Sequence, residues 1–298
     1  MEDSNRLQRM QTIERRSGWW SKDTIAVVTG SNKGVGFETA RQLAKHGLTV
    51  IVAARHEDRG QNAADTLRSR GYSIYFHQLD VTDDESIRTF VEWVKKEFGG
   101  INILVNNAGI KKNDVNFENA REVIATNYVA ARKVTTAFCP IMRTSAHGAR
   151  IINLSSQLGA LKCLKSEELR KQLSDTEHLS KKAIDSLAAK FLEDVRAGTF
   201  KTTNWEWSTQ NVQYSESKAF LNAYTRVLAQ VLAKDGPEEQ NVFVNAASPC
   251  WTKSDMTRHH EDAQPVEKGA DTPVWLALLP REGYPNGKFF ANREEVEF

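Results

Sequence analysis

The chain has 298 residues, with 40 basic and 38 acidic side chains and a formal net charge of +2. That balance leaves no basic footprint for nucleic acid or an anionic membrane surface, and no apolar run reaches the roughly 18 residues that span a bilayer. The length admits one large α/β domain or two small ones.

Residues 1–22 read as an extension without the apolar stretch of a secretory signal. Leu7, Met10 and Ile13 suit either a short amphipathic helix or a mobile charged segment, and Trp19 and Trp20 are expected to anchor it to the body. From Asp23 an alternating pattern begins. Apolar runs at Thr24–Thr29, Leu48–Ala53, Ser73–Leu79, Ile101–Val105 and Ala149–Leu154 predict buried strands. Helices are expected over Phe37–His46, Glu57–Arg70, Thr82–Phe98 and Phe117–Arg143, the third opened by a Thr82/Glu85 capping box. Lys162–Gln213 breaks the rhythm with charged, mostly helical text. A long helix over Tyr214–Lys234, a strand at Val242–Ala247, a helix over Lys268–Leu279 and a last strand at Lys288–Ala291 complete the pattern. Strands alternating with helices imply right-handed βαβ units and a doubly wound parallel sheet. The expected architecture is one domain, residues 23–298, with a helical insertion at 162–213.

The first strand runs into TGSNKGVG and then a helix. Gly30, Gly34 and Gly36 allow a tight turn and close approach of the backbone to a pyrophosphate, with Asn32, Lys33 and Val35 between and beside them. The helix start offers free N–H groups to phosphate. In this context the motif predicts a Rossmann-type dinucleotide site. An NAD site carries an acid near the end of its second strand to hold the ribose 2′-hydroxyl. This chain has Ala54 and Arg55 there, and a guanidinium suits a 2′-phosphate. With Lys33 as a second cation, the expected cofactor is NADP. Asp80, followed by Val81, is either an acceptor for the adenine amino group or a turn residue.

The ordered set TGSNKGVG, NNAG at Asn106–Gly109, Ser156 and YSESK at Tyr214–Lys218 resembles the short-chain dehydrogenase/reductase family. The text GWWSKDTIAVVTG, NLSSQLGAL and GADTPVWLALLP resembles its monomeric carbonyl reductases and their plant menthone/neomenthol and salutaridine reductase relatives. The long stretch between Ser156 and Tyr214 fits that group, in which an insertion covers a surface used elsewhere for oligomer packing. The resemblance therefore implies a monomer.

It also implies a set of roles. Tyr214 is the general acid, and Lys218, on the same helix face, lowers the phenol's pKa and binds the nicotinamide ribose. Ser156 rather than Ser155 donates to the substrate carbonyl. Asn127 helps hold a water beside the lysine, and Asn107, Ala108 and Gly109 pass under the adenine ribose. Pro249, Thr252 and Ser254 meet the nicotinamide end. One position departs from the pattern: Cys250 stands where glycine is usual, and a cysteine takes positive φ only with strain.

Phe200, Trp205 and Trp207 are read either as core of the insertion or as lining of an apolar substrate pocket. His259 and His260 read as a solvated loop, and no metal is expected. Three cysteines, Cys139, Cys163 and Cys250, lack metal-ligand spacing and suit reduced thiols in the cytoplasm. The expected function is reversible reduction of a small, apolar ketone or aldehyde to an alcohol. A non-catalytic NADP-binding sensor or scaffold is the alternative, and an epimerase or enoyl reductase on the same fold is a third reading.

Overall fold

A computed structural model describes residues 18–143, 145–203, 205–207, 211–235 and 241–298. The Leu7, Met10 and Ile13 pattern lies outside them. Seven parallel strands form the sheet: β1 (Ile25–Thr29), β2 (Thr49–Ala54), β3 (Ile74–Gln78), β4 (Ile103–Asn106), β5 (Ala149–Leu154), β6 (Val242–Ser248) and β7 (Phe289–Ala291). An antiparallel β8 (Glu294–Val296) closes it in the order β3-β2-β1-β4-β5-β6-β7-β8. The order reverses between β1 and β4, so a crevice opens beyond their carboxyl ends, where such sheets bind ligands.

Strand residues alternate between two cores, as a period of two requires. Ala26, Val28, Val50 and Val52 face α1 (Gly34–Lys45), α2 (Glu57–Arg68) and the later helix α9 (Val266–Leu278). Ile25, Val27, Ile51 and Leu104 face α3 (Asp84–Phe98) and α5 (Ala131–Phe138). Because both faces are covered, β1, β2 and β4 are buried at every position. A third core joins α4 (Phe117–Ile124) and α8 (Val212–Asp235) to the insertion helices α6 (Glu167–Ser174) and α7 (Lys181–Ala197).

Four details differ from the sequence reading. The first helix starts at Gly34, inside the glycine motif rather than after it. The third is capped by Asp83, whose side chain accepts from the Glu85 N–H. Thr82 instead gives its hydroxyl to Asp80, so the expected Thr82/Glu85 box does not form. The helix expected over Phe117–Arg143 is interrupted by a π-helical turn at Ala125–Ala130 and ends in a 3₁₀ turn at Cys139–Ile141, where Pro140 lacks the N–H an α-helix needs. Strand β8 had no signal. Its hairpin turn uses Asn292 and Arg293 at φ of 52° and 64°, where Asn-Gly is the usual choice. Arg293 is held there by an ion pair to Asp271 and by its N–H on the Thr272 hydroxyl.

Trp19 and Trp20 are themselves tied to the body of the domain. The Trp19 indole donates to the carbonyls of Leu278 and Leu279, and that of Trp20 to His46. Beneath Trp19 lies Arg150, fully buried. Its guanidinium carbon is 4.2 Å from the Trp19 ring centroid and 4.6 Å from that of Tyr284. It donates to the carbonyls of His147, Gly148 and Leu279, with no carboxylate partner among the described residues. Replacing it strands those carbonyls and removes its cation–π contacts with Trp19, Tyr284 and Phe243. Arg150→Met is expected to lower stability by about 3 kcal/mol in urea unfolding; an unchanged midpoint would show that the aromatic sandwich contributes nothing.

Candidate active site

Thr29 ends β1 and organises the crevice. Its hydroxyl accepts the backbone N–H groups of Asn107 and Ala108. The Asn107 side chain donates back to the carbonyls of Thr29 and Gly30. This clasp brings the glycine loop against the segment after β4. A Cβ at Gly30 would sit 2.8 Å from the Ala108 Cα, and one at Gly36 would sit 2.3 Å from the Asn107 amide nitrogen. Gly30 and Gly34 both have positive φ. Thr29 was not singled out in the sequence, because a threonine at a strand end is unremarkable until its partners are known.

The start of α1 is bare. Its cap residue, Lys33, makes no side-chain cap, and the first turn holds no acid. The contrast is with α3, which has Asp83 as cap and Asp84 and Glu85 in its first turn. An uncapped helix start lined by glycines suits a pyrophosphate, so the residues present fit a dinucleotide. Arg55 is exposed at the end of β2, with no ion-pair partner among the described residues. Lys33 is instead paired with Asp255, from the loop after β6. Asp80 accepts both the N–H and the hydroxyl of Thr82, so it shapes the turn after β3 while remaining at the crevice rim beside Val81.

Four polar side chains from distant stretches meet beside Gly109. Lys218 and Tyr214 lie on α8, both buried, with the ammonium 5.6 Å from the phenol ring centroid. Lys218 donates to the Leu154 carbonyl at 2.7 Å. Ser156 caps the 3₁₀ turn Gln157–Gly159, its hydroxyl accepting from the Leu158 N–H, and lies beside the Tyr214 phenol. Ser155 points the other way, to the carbonyl of Lys218. Asn127 sits in the π-helical turn and clamps Ile110 at both its N–H and its carbonyl, with its amide also on Ser217. A Cβ at Gly109 would lie 3.2 Å from the Asn127 oxygen and 3.6 Å from the Lys218 nitrogen. Glycine therefore keeps that space open.

The electrostatics differ from the expectation for Tyr214. Burial pushes its phenol up to about 12, and the neighbouring Ser156 hydroxyl only partly opposes this. Burial also pulls Lys218 down to about 8. The lysine is turned to the Leu154 carbonyl and does not offset the burial of the phenol. Near neutral pH the pair holds a protonated phenol beside an ammonium that gives up its proton easily.

Cys250 adopts φ +57°, the glycine conformation that its position calls for. Its thiol rests near the Ser248 carbonyl and the Asn292 side chain, and burial raises its pKa. Thr252 is buried and bonded to the Pro249 carbonyl, and Ser254 donates to the Thr252 carbonyl. Trp205 and Trp207 are both buried, giving their indoles to Asp194 and Glu216, and Phe200 packs against the same insertion core. Among the described residues no cluster of His, Cys, Asp or Glu is arranged to hold a metal ion, and no helix is long and apolar enough to cross a membrane.

Two residues flanking Tyr214 escaped the sequence reading. Gln213 donates to the carbonyls of Lys112 and Asp114, tying that loop to α8. Glu216 is fully buried, with one carboxyl oxygen on the Trp207 indole and the other without a hydrogen-bond partner.

A family model described as short chain dehydrogenase matches residues 24–166. The chain is 40% identical to a (+)-neomenthol dehydrogenase of Arabidopsis thaliana, over 92% of this chain and 97% of that one. It is 38% identical to the NADPH carbonyl reductase 3 of Mus musculus, over 90% and 96% respectively. The solved salutaridine reductase from Papaver somniferum superposes with a TM-score of 0.81 at 31% identity, covering 90% of this chain and 99% of that one. The chain belongs to the short-chain dehydrogenase/reductase family of oxidoreductases.

Burial holds the Glu216 carboxyl protonated up to about pH 8, whereas the unfolded chain ionises it near 4.3. Its contribution to stability is therefore intact below the unfolded value and lost as pH rises towards 8. Thermal melts should show the wild type losing stability between about pH 5 and 8 relative to Glu216→Gln, with the two curves parallel above that range.

Proposed function

We propose that the chain is an NADPH-dependent carbonyl reductase, acting reversibly on a ketone or aldehyde with Tyr214 as proton donor. The convergence of Ser156, Tyr214, Lys218 and Asn127 beside the space left by Gly109 carries this reading. The names of the relatives support it, since they act as carbonyl reductases and as a neomenthol dehydrogenase.

Gly30, Asn32, Gly34, Val35 and Gly36 hold the pyrophosphate at the start of α1. Arg55 and Lys33 would hold the 2′-phosphate, Asp80 and Val81 the adenine, and Asn107, Ala108 and Gly109 the adenine ribose. Pro249, Thr252 and Ser254 border the nicotinamide end. When bound, the reduced cofactor supplies a hydride. Ser156 orients the carbonyl oxygen by donating a hydrogen bond, which strengthens as charge develops there. Tyr214 delivers its proton to that oxygen, and its high pKa keeps the proton on the phenol until negative charge calls for it. Lys218 then offers the nearest replacement proton, and Asn127 fixes the backbone around that route.

Trp251 and Met256 are among the few exposed large apolar side chains. Both lie on the loop after β6, which supports an apolar substrate. The insertion packs over α4 and α8, which supports a monomer rather than an oligomer built on those helices, and the free thiols of Cys139, Cys163 and Cys250 support a cytoplasmic setting.

Tyr214→Phe is expected to lower turnover by at least a thousandfold while NADPH still binds, as read by cofactor fluorescence. Normal turnover would remove Tyr214 from the chemistry, and a variant with no wild-type activity to lose would favour a non-catalytic NADP-binding protein. Arg55→Asp should shift preference from NADPH to NADH in steady-state kinetics; an unchanged ratio would take Arg55 out of the phosphate site.

A further inference from the structure

The two cations assigned to the 2′-phosphate are held differently. Arg55 is exposed and makes no ion pair among the described residues. Lys33 is held by Asp255, and both side chains are about 60% exposed. Asp255 is itself fixed. Its second oxygen takes a hydrogen bond from His259 at 2.9 Å. It opens the 3₁₀ turn Asp255–Thr257, where the Thr257 hydroxyl accepts from the Ser254 N–H. Lys33 first and His259 second hold its carboxyl below the usual carboxylate range, so it is ionised whenever the protein is folded near neutral pH. The loops also touch beside the ion pair: a Cβ at Gly34 would sit 3.9 Å from that of Ser254.

We propose that Asp255 is a built-in competitor for Lys33, a specificity-determining residue that sets how strongly the site prefers a phosphorylated dinucleotide. The inference rests on the 2′-phosphate reading above. A phosphate monoester carries a charge of about −1.5 to −2 near neutral pH, more than the single charge of a carboxylate. Lys33 therefore exchanges Asp255 for the 2′-phosphate when NADPH binds, and the lost ion pair is subtracted from the gain. With NADH there is no such phosphate, Lys33 stays on Asp255, and nothing is subtracted.

The test is equilibrium binding of NADPH, NADH, 2′,5′-ADP and ADP to the full chain, read by calorimetry or cofactor fluorescence. Because exposed ion pairs contribute little, Asp255→Asn should tighten NADPH and 2′,5′-ADP only about two- to fivefold. NADH and ADP should bind as they do to the wild type. In a Lys33→Ala background the same Asp255→Asn change should give no gain. Equal tightening of all four ligands, unchanged NADPH affinity, or a gain that survives Lys33→Ala would each overturn the inference. A wild type that binds 2′,5′-ADP no better than ADP would refute the 2′-phosphate site itself, and this inference with it. A wild type that prefers 2′,5′-ADP while Asp255→Asn leaves that preference unchanged would refute only the role of Asp255.

Discussion

The site depends on burying one helix from both sides. Through its first three turns α8 presents almost no surface to solvent: Tyr214, Ser215, Glu216, Ser217, Lys218, Ala219 and Phe220 are all buried. β6 and the turn Gln157–Gly159 after β5 cover one side, and α4, α7 and the Trp205–Trp207 segment cover the other. Such a helix cannot shed its polar groups into water, so each must find a partner inside. Lys218 takes the Leu154 carbonyl, Ser217 bridges the Tyr214 carbonyl and Asn127, and Glu216 takes the Trp207 indole. The same burial moves Tyr214 and Lys218 towards their neutral forms. The placement of these side chains and their perturbed acidity thus have a common origin in the burial of α8, to which an insertion far from the glycine loop in sequence contributes.

The crevice obeys a different constraint, close approach of backbone. Thr29 and Asn107 lock the ends of β1 and β4 together, and the absence of a Cβ at Gly30, Gly36 and Gly109 lets three chain segments meet within contact distance. Around this rigid floor the charged groups are adjustable. Lys33 and Asp255 are exposed and weakly coupled to the core, so they can change partners without disturbing the fold. Cys250 marks the boundary between the two regimes. It adopts a left-handed backbone without being glycine because its neighbours, Ser248 and Asn292, bond its backbone and thiol.

Most of the parallel sheet was legible because its strands are short apolar runs bounded by glycine, and the phosphate loop because its glycines fall between a strand and a helix. The π-helical turn was not legible: ATNYVAA has ordinary helical periodicity, and only the demand that Asn127 clamp Ile110 reveals the register change. The β8 hairpin was missed because Asn-Arg is a poor turn signal, and its positive φ angles are enforced by Asp271 and Thr272 on α9. The question of Trp205 and Trp207 was left open by composition alone. Their buried partners, Asp194 and Glu216, place them in the core of the insertion.

What the sequence determined by itself is local: the strand and helix periods, the glycine loop, the Tyr–Lys spacing on one helix face, and the family that this ordered set defines. Tertiary structure decided what local pattern cannot encode. It turned Ser155 to the α8 backbone and set Ser156 beside the phenol, drew Lys33 onto a carboxylate more than two hundred residues away, and made Tyr214 a weaker acid rather than a stronger one. The reason is physical: desolvation and long-range pairing depend on which distant surfaces meet, and those surfaces exist only once the chain has folded.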